Sequence, residues 1–393
     1  MELTQTKYKQ TEVGLIPEDW TLESIEDFAS ITTGGSDTQD RVDDGAYPFY
    51  VRSNTIERIN KYSFDGEAIL TSGDGVGVGK IFHYVTGKFD YHQRVYNIFN
   101  YRKNVDGKYL FFQFSTNFYD KVMSMTAKSS VDSVRREMIA DMKIPLPPTL
   151  TEQKAIATAL SDVDDLIANL DKLISKKKAI KQGAMQQLFT EKKKWERKTI
   201  KEFGFDISDG NYSAKYPKSS EFKSSGVPFI RANNIKKMTV VGDDMRYISE
   251  ELHSELKKGH LKKGDILITN RGDIGQTSIV PDKFIGANIN AQIVRINTCG
   301  KLNRLYFFYF MRLNSTQNHI HNMQTGSALK QLPVNRLFDI EIAFPKEDVQ
   351  TLIGETLFEI DTEMLSIETI KAKYQDIKQG MMQELLTGKI RLI

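Results

Sequence analysis

The eleven residues IKQGAMQQLFT, at positions 180–190, return as IKQGMMQELLT at positions 377–387, with eight of the eleven identical. The two copies lie 197 residues apart in a chain of 393 residues, so the period is close to half the chain. The same offset continues upstream without a gap and pairs identical residues: Pro148 with Pro345, Gln153 with Gln350, Ile156 with Ile353, Leu160 with Leu357 and Asp164 with Asp361. Self-similarity at one fixed period indicates a duplicated unit.

Each copy lies in a long segment that has the apolar spacing of a coiled-coil helix. Apolar residues alternate steps of four and three, at Ile156, Leu160, Val163, Ile167, Leu170 and Ile174 and again at Ile353, Leu357, Ile360, Met364 and Ile367. This spacing predicts two helices of about forty residues, and Thr149 with Glu152 fits a capping box at the first helix start. The simplest arrangement packs the two helices on each other, although the spacing alone also suits two ordinary core helices.

Both helices keep a glycine in the motif IKQG, at Gly183 and Gly380. An interior glycine costs a helix about 1 kcal/mol relative to alanine, so its retention in both copies indicates close approach by another backbone. We therefore take both glycines as candidate subunit contacts. The surrounding lysines are expected to form a solvated face, with phosphate contact as the alternative: Lys172, Lys176, Lys177, Lys178, Lys181 and Lys192 to Lys194.

The segments before the helices also align, though less closely. The identical pairs include Trp20 with Trp195, Ile25 with Ile200, Phe28 with Phe203, Gly35 with Gly210, Arg52 with Arg231, Asn54 with Asn233, Ile56 with Ile235, Thr71 with Thr269, and Ser129 with Ser327. Short β-rich stretches broken by Gly, Asn and Asp predict strands, while YLFFQF and LYFFYFM predict buried helices. The expected fold is α+β by tandem duplication, with globular domains at 1–148 and 195–345 and long helices at 149–194 and 346–393.

Composition excludes several classes of protein. Lys and Arg number 54 against 51 Asp and Glu, which leaves a net charge of only +3, so any polyanion site must be local. A single cysteine, Cys299, excludes a disulfide framework and a multi-thiolate metal site, and favours the cytoplasm. The longest apolar runs are too short to span a bilayer, so no membrane partner is expected.

The stretch ILTSGDGVGVGK, residues 69–80, raises the possibility of a phosphate-binding loop. Such a loop needs a glycine five residues before Gly79 and a hydroxyl residue after Lys80, where this chain has Asp74 and Ile81. No Asn-Pro-Pro-aromatic methyltransferase motif and no Gly-x-Ser-x-Gly motif occurs. We therefore expect the chain to be non-catalytic, with no metal site.

The stretches PLPPTLTEQKAIATAL (145–160), IKQGMMQELLTGKIRL (377–392), IPEDW (16–20) and GDILITNRGDIG (264–275) resemble the specificity subunit of type I restriction–modification systems. The resemblance covers essentially the whole chain. It implies that each variable domain is a target-recognition domain and that the helices form an antiparallel coiled coil with pseudo-two-fold symmetry. The two domains would read the halves of a bipartite, asymmetric double-stranded DNA target.

The resemblance also implies partners. The helices would set the spacer and bind two methyltransferase subunits together with restriction subunits. Adenine-N6 methylation and ATP-dependent cleavage would belong to those partners, with S-adenosylmethionine, ATP and Mg²⁺ as their cofactors, and none bound by this chain. In one respect the second copy departs from the pattern, because Asp348-Val349-Gln350 replaces Thr151-Glu152-Gln153 at the helix start.

The duplication sorts the candidate DNA contacts. Residues identical in both halves cannot distinguish different half-sites and are expected to contact phosphate or shape loops: Arg52, Asn54, Thr71, Ser129, Arg231, Asn233, Thr269 and Ser327. Divergent polar residues are expected to read bases. They are Ser36, Asp37, Gln39, Arg41, Ser72, His92, Gln93 and Arg94 in the first half, and Tyr212, Lys215, Tyr216, Lys218, Asn270, Arg271, Asn288, Asn290 and Gln292 in the second.

Two other functions stay open at the level of sequence. One is a coiled-coil scaffold with two protein-binding heads and no DNA specificity. The other is a self-sufficient methyltransferase or nuclease, which would need motifs that the chain lacks.

Overall fold

The computed structural model describes residues 7–75, 77–125, 133–190, 195–212, 216–236, 238–327 and 329–393. The chain divides into two compact units, unit 1 comprising Met1–Lys172 with Thr369–Ile393 and unit 2 comprising Leu173–Glu368. Each unit therefore combines a globular domain from one half of the chain with helical segments from both halves. Among the helices of the described ranges, none has the length and apolar character needed to cross a membrane.

Unit 1 contains mixed strands and helices. Its strands are β1 (Tyr8–Thr11), β2 (Gly14–Pro17), β3 (Thr21–Ser24), β4 (Ser30–Thr33), β5 (Tyr47–Tyr50), β6 (Ile56–Ile59), β7 (Phe64–Asp65), β8 (Ala68–Ser72), β9 (Phe82–Val85), β10 (Lys88–Tyr91), β11 (Val95–Phe99) and β12 (Lys143–Leu146). Its helices are α1 (Ile25–Phe28), α2 (Gly107–Ser124), α3 (Arg136–Ala140), the first part of α4 (Leu150–Leu188) and the last part of α10 (Glu347–Leu385). The sheets have strand orders β6-β5-β10-β7 and β4-β11-β8-β9, with the pairs β1-β2 and β12-β3.

Unit 2 repeats the main sheet of unit 1, with differences in the strands and helices around it. Its strands are β13 (Glu196–Thr199), β14 (Asp206–Asp209), β15 (Val227–Ile230), β16 (Ile235–Lys236), β17 (Thr239–Val240), β18 (Arg246–Ile248), β19 (Ile266–Thr269), β20 (Thr277–Ile279), β21 (Asn288–Ile289), β22 (Ile293–Asn297) and β23 (Glu341–Phe344). Its helices are the second part of α4, then α5 (Ile200–Phe203), α6 (Glu250–Glu255), α7 (Arg304–Met311), α8 (Asn314–Asn322), α9 (Val334–Leu337) and the first part of α10 (Glu347–Leu385). The sheets are β14-β22-β19-β20-β17-β16, β18-β15-β21 and β13-β23.

The two units share strand order and direction, which confirms the predicted α+β duplication. The order β4-β11-β8-β9 in unit 1 matches β14-β22-β19-β20 in unit 2. The two units also share a parallel contact, β5 with β10 in unit 1 and β15 with β21 in unit 2. The predicted buried helices are also confirmed, since YLFFQF lies in α2 and LYFFYFM in α7, and both helices are buried in the cores.

Strand register corrects one of the predicted pairings between the halves. Ile56 begins β6, which pairs antiparallel with β5. The strand that pairs antiparallel with β15 in unit 2 is β18, whereas Ile235 begins β16 and pairs with β17. The hairpin β16–β17 is therefore an insertion in unit 2, and the pairing of Ile56 with Ile235 is wrong.

The long helices are 39 residues each, close to the predicted length. The hydroxyl of Thr149 accepts a hydrogen bond from the backbone N of Glu152 at 3.2 Å, as a capping residue does. In unit 2, Lys177 and Lys181 of α4 pair with Glu363 and Asp361 of α10. Because the residue numbers rise on one helix as they fall on the other, the segments are antiparallel.

The corresponding segments of unit 1 are antiparallel as well. Lys371 pairs with Asp171 at 2.6 Å and Lys378 pairs with Asp164 at 2.5 Å. Asp164 and Asp361 are identical under the repeat, as are Lys181 and Lys378, so the same ion pair forms once in each unit. The lysine of IKQG therefore binds an aspartate of the facing helix, and the expectation that Lys181 belongs to a solvated face is wrong.

The repeated glutamine, Gln153 in unit 1 and Gln350 in unit 2, joins each long helix to its domain. The side chain of Gln153 accepts from the backbone N of Asp106 at 2.8 Å and donates to the carbonyls of Asn104 and Pro147, both at 3.0 Å. Gln350 repeats this, accepting from Asn303 at 2.9 Å and donating to Pro345 at 2.8 Å. Asp106 and Asn303 are the N-caps of α2 and α7.

Replacing Gln153 by leucine is expected to destabilise unit 1 by about 2–3 kcal/mol, because three backbone groups lose the partner that this buried side chain provides. Hydrogen exchange of α2 followed by mass spectrometry measures this change. The matched control is Gln182→Leu, at an exposed glutamine of α4. Equal protection of α2 in the two variants would contradict the assigned role.

Candidate nucleic-acid interface

In unit 1, loops from four strands meet at one end of the sheets. Ser36 forms a β-bridge with His92, and the backbone N of His92 donates to the carbonyl of Tyr50 at 2.9 Å. The backbone N of Gly73 donates to the carbonyl of Arg94 at 2.7 Å. We call residues 34–37, 51–54, 72–75 and 92–94 loop cluster 1, and it gathers most of the candidate contacts of the first half.

Two arginines of loop cluster 1 share one carboxylate. Arg52 Nη1 lies 2.9 Å from Asp74 Oδ1, and Arg94 Nε lies 3.8 Å from Asp74 Oδ2. The side chains of Arg52 and Arg94 are 44% and 66% exposed. Exposed ion pairs of this kind contribute little to stability, so these guanidinium groups are available to a polyanion.

His92 is buried beneath this surface and acts as a backbone acceptor. Its Nδ1 accepts from the backbone N of Arg94 at 2.9 Å, and its Nε2 lies 4.0 Å from Asp37 Oδ2. Burial lowers the pKa of His92, and the charge of Arg52 lowers it further. The carboxylates of Asp37 and Asp74 oppose that shift, and Arg94 adds to it. The imidazole is therefore neutral at neutral pH.

Acidification is expected to weaken loop cluster 1. A base with a lowered folded-state pKa stabilises the fold above its ordinary value of 6.5, and this contribution is lost as pH falls from there through the folded pKa. Protonation of Nδ1 also removes the bond to Arg94. Binding to target DNA, measured from about pH 7.5 to about pH 5.5, should weaken at the first half-site. His92→Asn should remove the dependence, and an unchanged pH profile in that variant would contradict it.

In unit 2 the corresponding loops meet in the same way. The backbone N of Asn290 donates to the carbonyl of Ile230, and that of Asn270 donates to the carbonyl of Gln292, both at 2.9 Å. The side chain of Asn290 accepts from the backbone N of Gln292 at 3.1 Å, as His92 does from Arg94. We define loop cluster 2 as residues 210–212, 216–218, 231–234, 270–273 and 290–292.

The two clusters differ in charge at equivalent positions. Asp74 forms an isolated β-bridge with Ser133, and Arg271 forms the equivalent β-bridge with Gln331. The acidic residue of loop cluster 1 is therefore replaced by a basic residue in loop cluster 2. Arg271 lies over the ring of Tyr212, 4.8 Å from its centroid, a favourable cation–π distance. The backbone N of Gly73 donates to the carbonyl of Arg94, and the backbone N of Asn270 donates to that of Gln292. Arg94 and Gln292 are therefore counterparts as well.

The structure shifts two sequence pairings by one residue. A Cβ on Gly34 would lie 1.9 Å from the carbonyl oxygen of Tyr91, and one on Gly210 would lie 2.2 Å from that of Asn290, whereas Gly35 has open space around it among the described residues. Gly34, not Gly35, therefore corresponds to Gly210.

Thr269 is the second case. It pairs with Ile293, and Ser72 pairs with Val95 at the same place in the sheet. Ser72, not Thr71, is therefore the counterpart of Thr269. Both hydroxyls bond a nearby backbone carbonyl, Ser72 that of Asp74 and Thr269 that of Asp273, which is a loop-shaping role.

Arg52 and Arg231 are also held differently. Arg231 donates to the Oδ2 of Asp244 at 2.7 Å and to its carbonyl at 2.6 Å. Asp244 follows the inserted hairpin β16–β17 and has φ +49°, so the insertion supplies the partner of Arg231. Arg52 and Arg231 thus share residue type but not environment.

Burial corrects part of the predicted list. Eight candidates are 4% exposed or less, which excludes direct base contact in this conformation: Ser36, Thr71, Ser72, His92, Thr269, Asn270, Asn288 and Asn290. Most of them hold loops; for example, Ser36 donates to Asp90 at 2.7 Å and Asn288 donates to the carbonyl of Lys258 at 3.1 Å. The hydroxyl of Thr71 is buried without a hydrogen-bond partner among the described residues.

The other candidates reach the surface or lie outside the described residues. The exposed or half-buried ones are Asp37, Gln39, Arg41, Arg52, Asn54, Gln93, Arg94, Tyr212, Tyr216, Lys218, Arg231, Asn233, Arg271, Gln292 and Ser327. Arg41 lies beyond loop cluster 1 and is 3.5 Å from Glu57. Ser129 and Lys215 fall outside the described residues.

Gly183 and Gly380 lie on open helix surface. A Cβ built on either glycine would meet no heavy atom of the described residues within 4 Å. The predicted close backbone approach is therefore not made by the described part of this chain. The surface around both glycines is accessible to another molecule.

No group of three or more His, Cys, Asp or Glu residues in the described ranges is arranged to hold a metal ion. The features that sequence reasoning missed are Asp74 and the helix-to-helix pair of Lys181 with Asp361. The pair of Lys181 with Asp361 could have been found from the sequence, because both residues are identical in the two copies. Asp74 is not repeated in the second half, so the duplication does not point to it.

Comparison with known proteins gives a consistent result. A family model described as type I restriction modification DNA specificity domain matches residues 17–180 and 192–379. The type I restriction enzyme MjaVIII specificity subunit of Methanocaldococcus jannaschii is 28% identical over 409 residues, covering 96% of this chain and 94% of that protein. The putative type I restriction enzyme MjaX specificity subunit of the same organism is 28% identical over 432 residues, covering 99% and 97%.

A solved structure shares the fold. The crystal structure of the type I restriction–modification system S subunit from M. genitalium has a TM-score of 0.70 and 16% sequence identity. The similarity covers 97% of this chain and 98% of that one.

Proposed function

Since the chain belongs to the type I restriction–modification DNA specificity family, we propose that loop clusters 1 and 2 each contact one half of its bipartite, asymmetric DNA target. The observation that carries this assignment is the equivalence of Arg94 and Gln292. Both side chains are exposed. The backbone carbonyl of each residue accepts the same hydrogen bond, from Gly73 or Asn270 at the end of a central strand. One backbone frame thus presents two different base-reading groups.

The chemistry of these groups indicates different bases. Arginine binds guanine O6 and N7 with two hydrogen bonds, whereas glutamine binds adenine N6 and N7. Each such pair contributes about 1–3 kcal/mol of discrimination against the wrong base. Arg52, Arg231 and Lys218 are exposed or half-buried cations near the same surfaces and supply phosphate contacts that position the domains.

The partners complete the activity. The long helices set the spacer and bind two methyltransferase subunits and the restriction subunits, and this chain is itself non-catalytic. Adenine-N6 methylation with S-adenosylmethionine and ATP-dependent, Mg²⁺-requiring cleavage then lie on those partners. The scaffold alternative, without DNA specificity, is not favoured by the family match.

Selection from random DNA by the reconstituted complex with its methyltransferase subunit tests the assignment. The wild-type complex should enrich a split, asymmetric motif. Arg94→Gln should change one half of that motif only, and Gln292→Arg should change the other half only. No enrichment with the wild type would return the chain to the scaffold hypothesis, and a change in both halves from one substitution would contradict the assignment.

Leucine at Gly183 or Gly380 is expected to weaken binding of the methyltransferase subunit by tenfold or more, equivalent to about 1.4 kcal/mol. The same substitution should raise the free energy of unfolding by up to about 1 kcal/mol, because leucine favours a helix more than glycine does. Analytical ultracentrifugation and urea unfolding measure the two effects. Ala179→Leu, at an exposed alanine of the helix that carries Gly183, is the control, and intact assembly in the glycine variants would show that these positions are not contacts.

A further inference from the structure

Asp74 is an acidic residue in loop cluster 1, the surface that we propose binds DNA. It stands at the end of β8, and its side chain is only 25% exposed. Its backbone is fixed on both sides, because its carbonyl accepts from the Ser72 hydroxyl at 2.8 Å and the residue forms a β-bridge with Ser133. The carboxylate therefore has a defined place between the loops.

This carboxylate contacts the two exposed arginines of loop cluster 1 through specific atoms. Arg52 uses Nη1, at 2.9 Å, and Arg94 uses Nε, at 3.8 Å. At 3.8 Å the Arg94 contact is an ion pair and not a hydrogen bond. Because it is made through Nε, it draws the guanidinium group toward Asp74 and keeps Nη1 and Nη2 of Arg94 for another partner. Those two atoms form the fork that binds guanine with two parallel hydrogen bonds.

We infer that Asp74 is a positioning residue for DNA specificity, which orients Arg94, and with it Arg52, for base readout in the first half-site. This inference rests on the proposed function of loop cluster 1. Without the carboxylate the arginines keep their charge but lose the ion-pair partner that orients them. They then serve any nearby phosphate, which is contact without sequence information.

Unit 2 supports this assignment by contrast. The counterpart of Asp74 is Arg271, and the counterpart of Arg94 is Gln292. In unit 2 the residue proposed to read a base is the neutral Gln292, and the position equivalent to Asp74 is not acidic. The acid is therefore present in the unit whose base-reading residue is an arginine.

The test compares Asp74→Asn with Asp43→Asn in the complex with the methyltransferase subunit. Asp43 is 95% exposed and 3.6 Å from Arg41, so its substitution removes the same charge from the same domain without touching Arg52 or Arg94. Affinities are measured for DNA with the selected target, with single-base changes in each half, and with no target.

Asp74→Asn should lower discrimination in the first half-site about tenfold, within the range of one bidentate contact. It should tighten binding to DNA without a target several-fold at low salt, because a negative charge is removed and two cations are released. Discrimination in the second half-site should not change. A merely structural defect would weaken binding to every DNA, and that outcome, or unchanged discrimination, would overturn the inference. Asp43→Asn should keep full discrimination.

A second variant separates positioning from folding. Arg94→Lys keeps the charge but has no Nε and no fork, so it should lose the same discrimination. The double variant Asp74→Asn/Arg94→Lys should lose no more than Arg94→Lys alone, because both changes remove one contact. Additive losses would overturn the inference. The wild-type complex tests the proposed function separately, because that function fails if the wild type selects no sequence. The variants test only the role of Asp74.

Discussion

Replacement of residues 1–148 by the equivalent domain of another family member is expected to change one half of the DNA target completely and leave the other half unchanged. Loop cluster 1 lies wholly within that range, and its side chains are held by residues of the same domain. Because phosphate contacts carry no sequence information, exchanging the loops exchanges the bases that are read. The mapped methylation motif of the chimera, in complex with its methyltransferase subunit, measures the result.

The replacement must preserve the contacts of the domain with the C-terminal segment. Arg391 pairs with Asp19 at 2.8 Å and with Glu152, and Gln113 donates to the carbonyl of Leu386 at 2.7 Å. A chimera that keeps Asp19 and Gln113 should assemble normally. The reciprocal exchange of residues 195–345 is the control and should change only the other half. A chimera of either kind in which both halves change would contradict independent reading.

Replacing Asp361 by alanine is expected to destabilise unit 2 by about 3–5 kcal/mol, the cost of breaking a buried ion pair from one side. Asp361 contacts Lys181 Nζ through both oxygens at 2.7 Å and accepts from the Tyr309 hydroxyl at 2.8 Å. The lysine and aspartate side chains are only 14% and 8% exposed. Burial lowers the pKa of Lys181 and the bond to Asp361 opposes that shift, so loss of the carboxylate leaves an uncompensated cation.

The duplication supplies the matched control. Asp164→Ala removes the equivalent carboxylate of unit 1, where Asp164 and Lys378 are 41% and 26% exposed. An ion pair with this exposure should cost less than about 1 kcal/mol to remove. Hydrogen exchange of α7 and α2 reports the stability of the two units separately. Equal losses in the two variants would refute the assigned difference in burial.

The sequence predicted the architecture well because the duplication and the helix spacing are long-range patterns. An offset of 197 residues, kept from Pro148 to Thr190 in the first copy, fixes the helices without any structural knowledge. The same reasoning failed at Ile56 and Thr71, where identical residues were paired across insertions. In a strand a shift of one residue reverses the side that a side chain faces, so identity alone does not establish equivalence there.

The site was predicted less well, for a physical reason. Polar residues in loops between strands can bind bases or can satisfy backbone groups, and the sequence does not distinguish these roles. His92 and Asn290 show the second role, since both accept a backbone N two residues onward. Asp74 was considered only as the residue that breaks the phosphate-loop motif and not as part of the DNA surface, yet it contacts both exposed arginines of its cluster.

Bipartite recognition by this chain is tested most directly by the methylome of the source organism, mapped by single-molecule sequencing with and without the chain. We expect N6-methyladenine in a split, asymmetric motif that disappears when the chain is deleted. Restoring the wild type should restore the whole motif, whereas restoring Arg94→Gln should return it with only one half altered. Methylation that is unchanged by deletion, despite a stable complex with the methyltransferase subunit, would contradict the proposal that this chain directs sequence recognition.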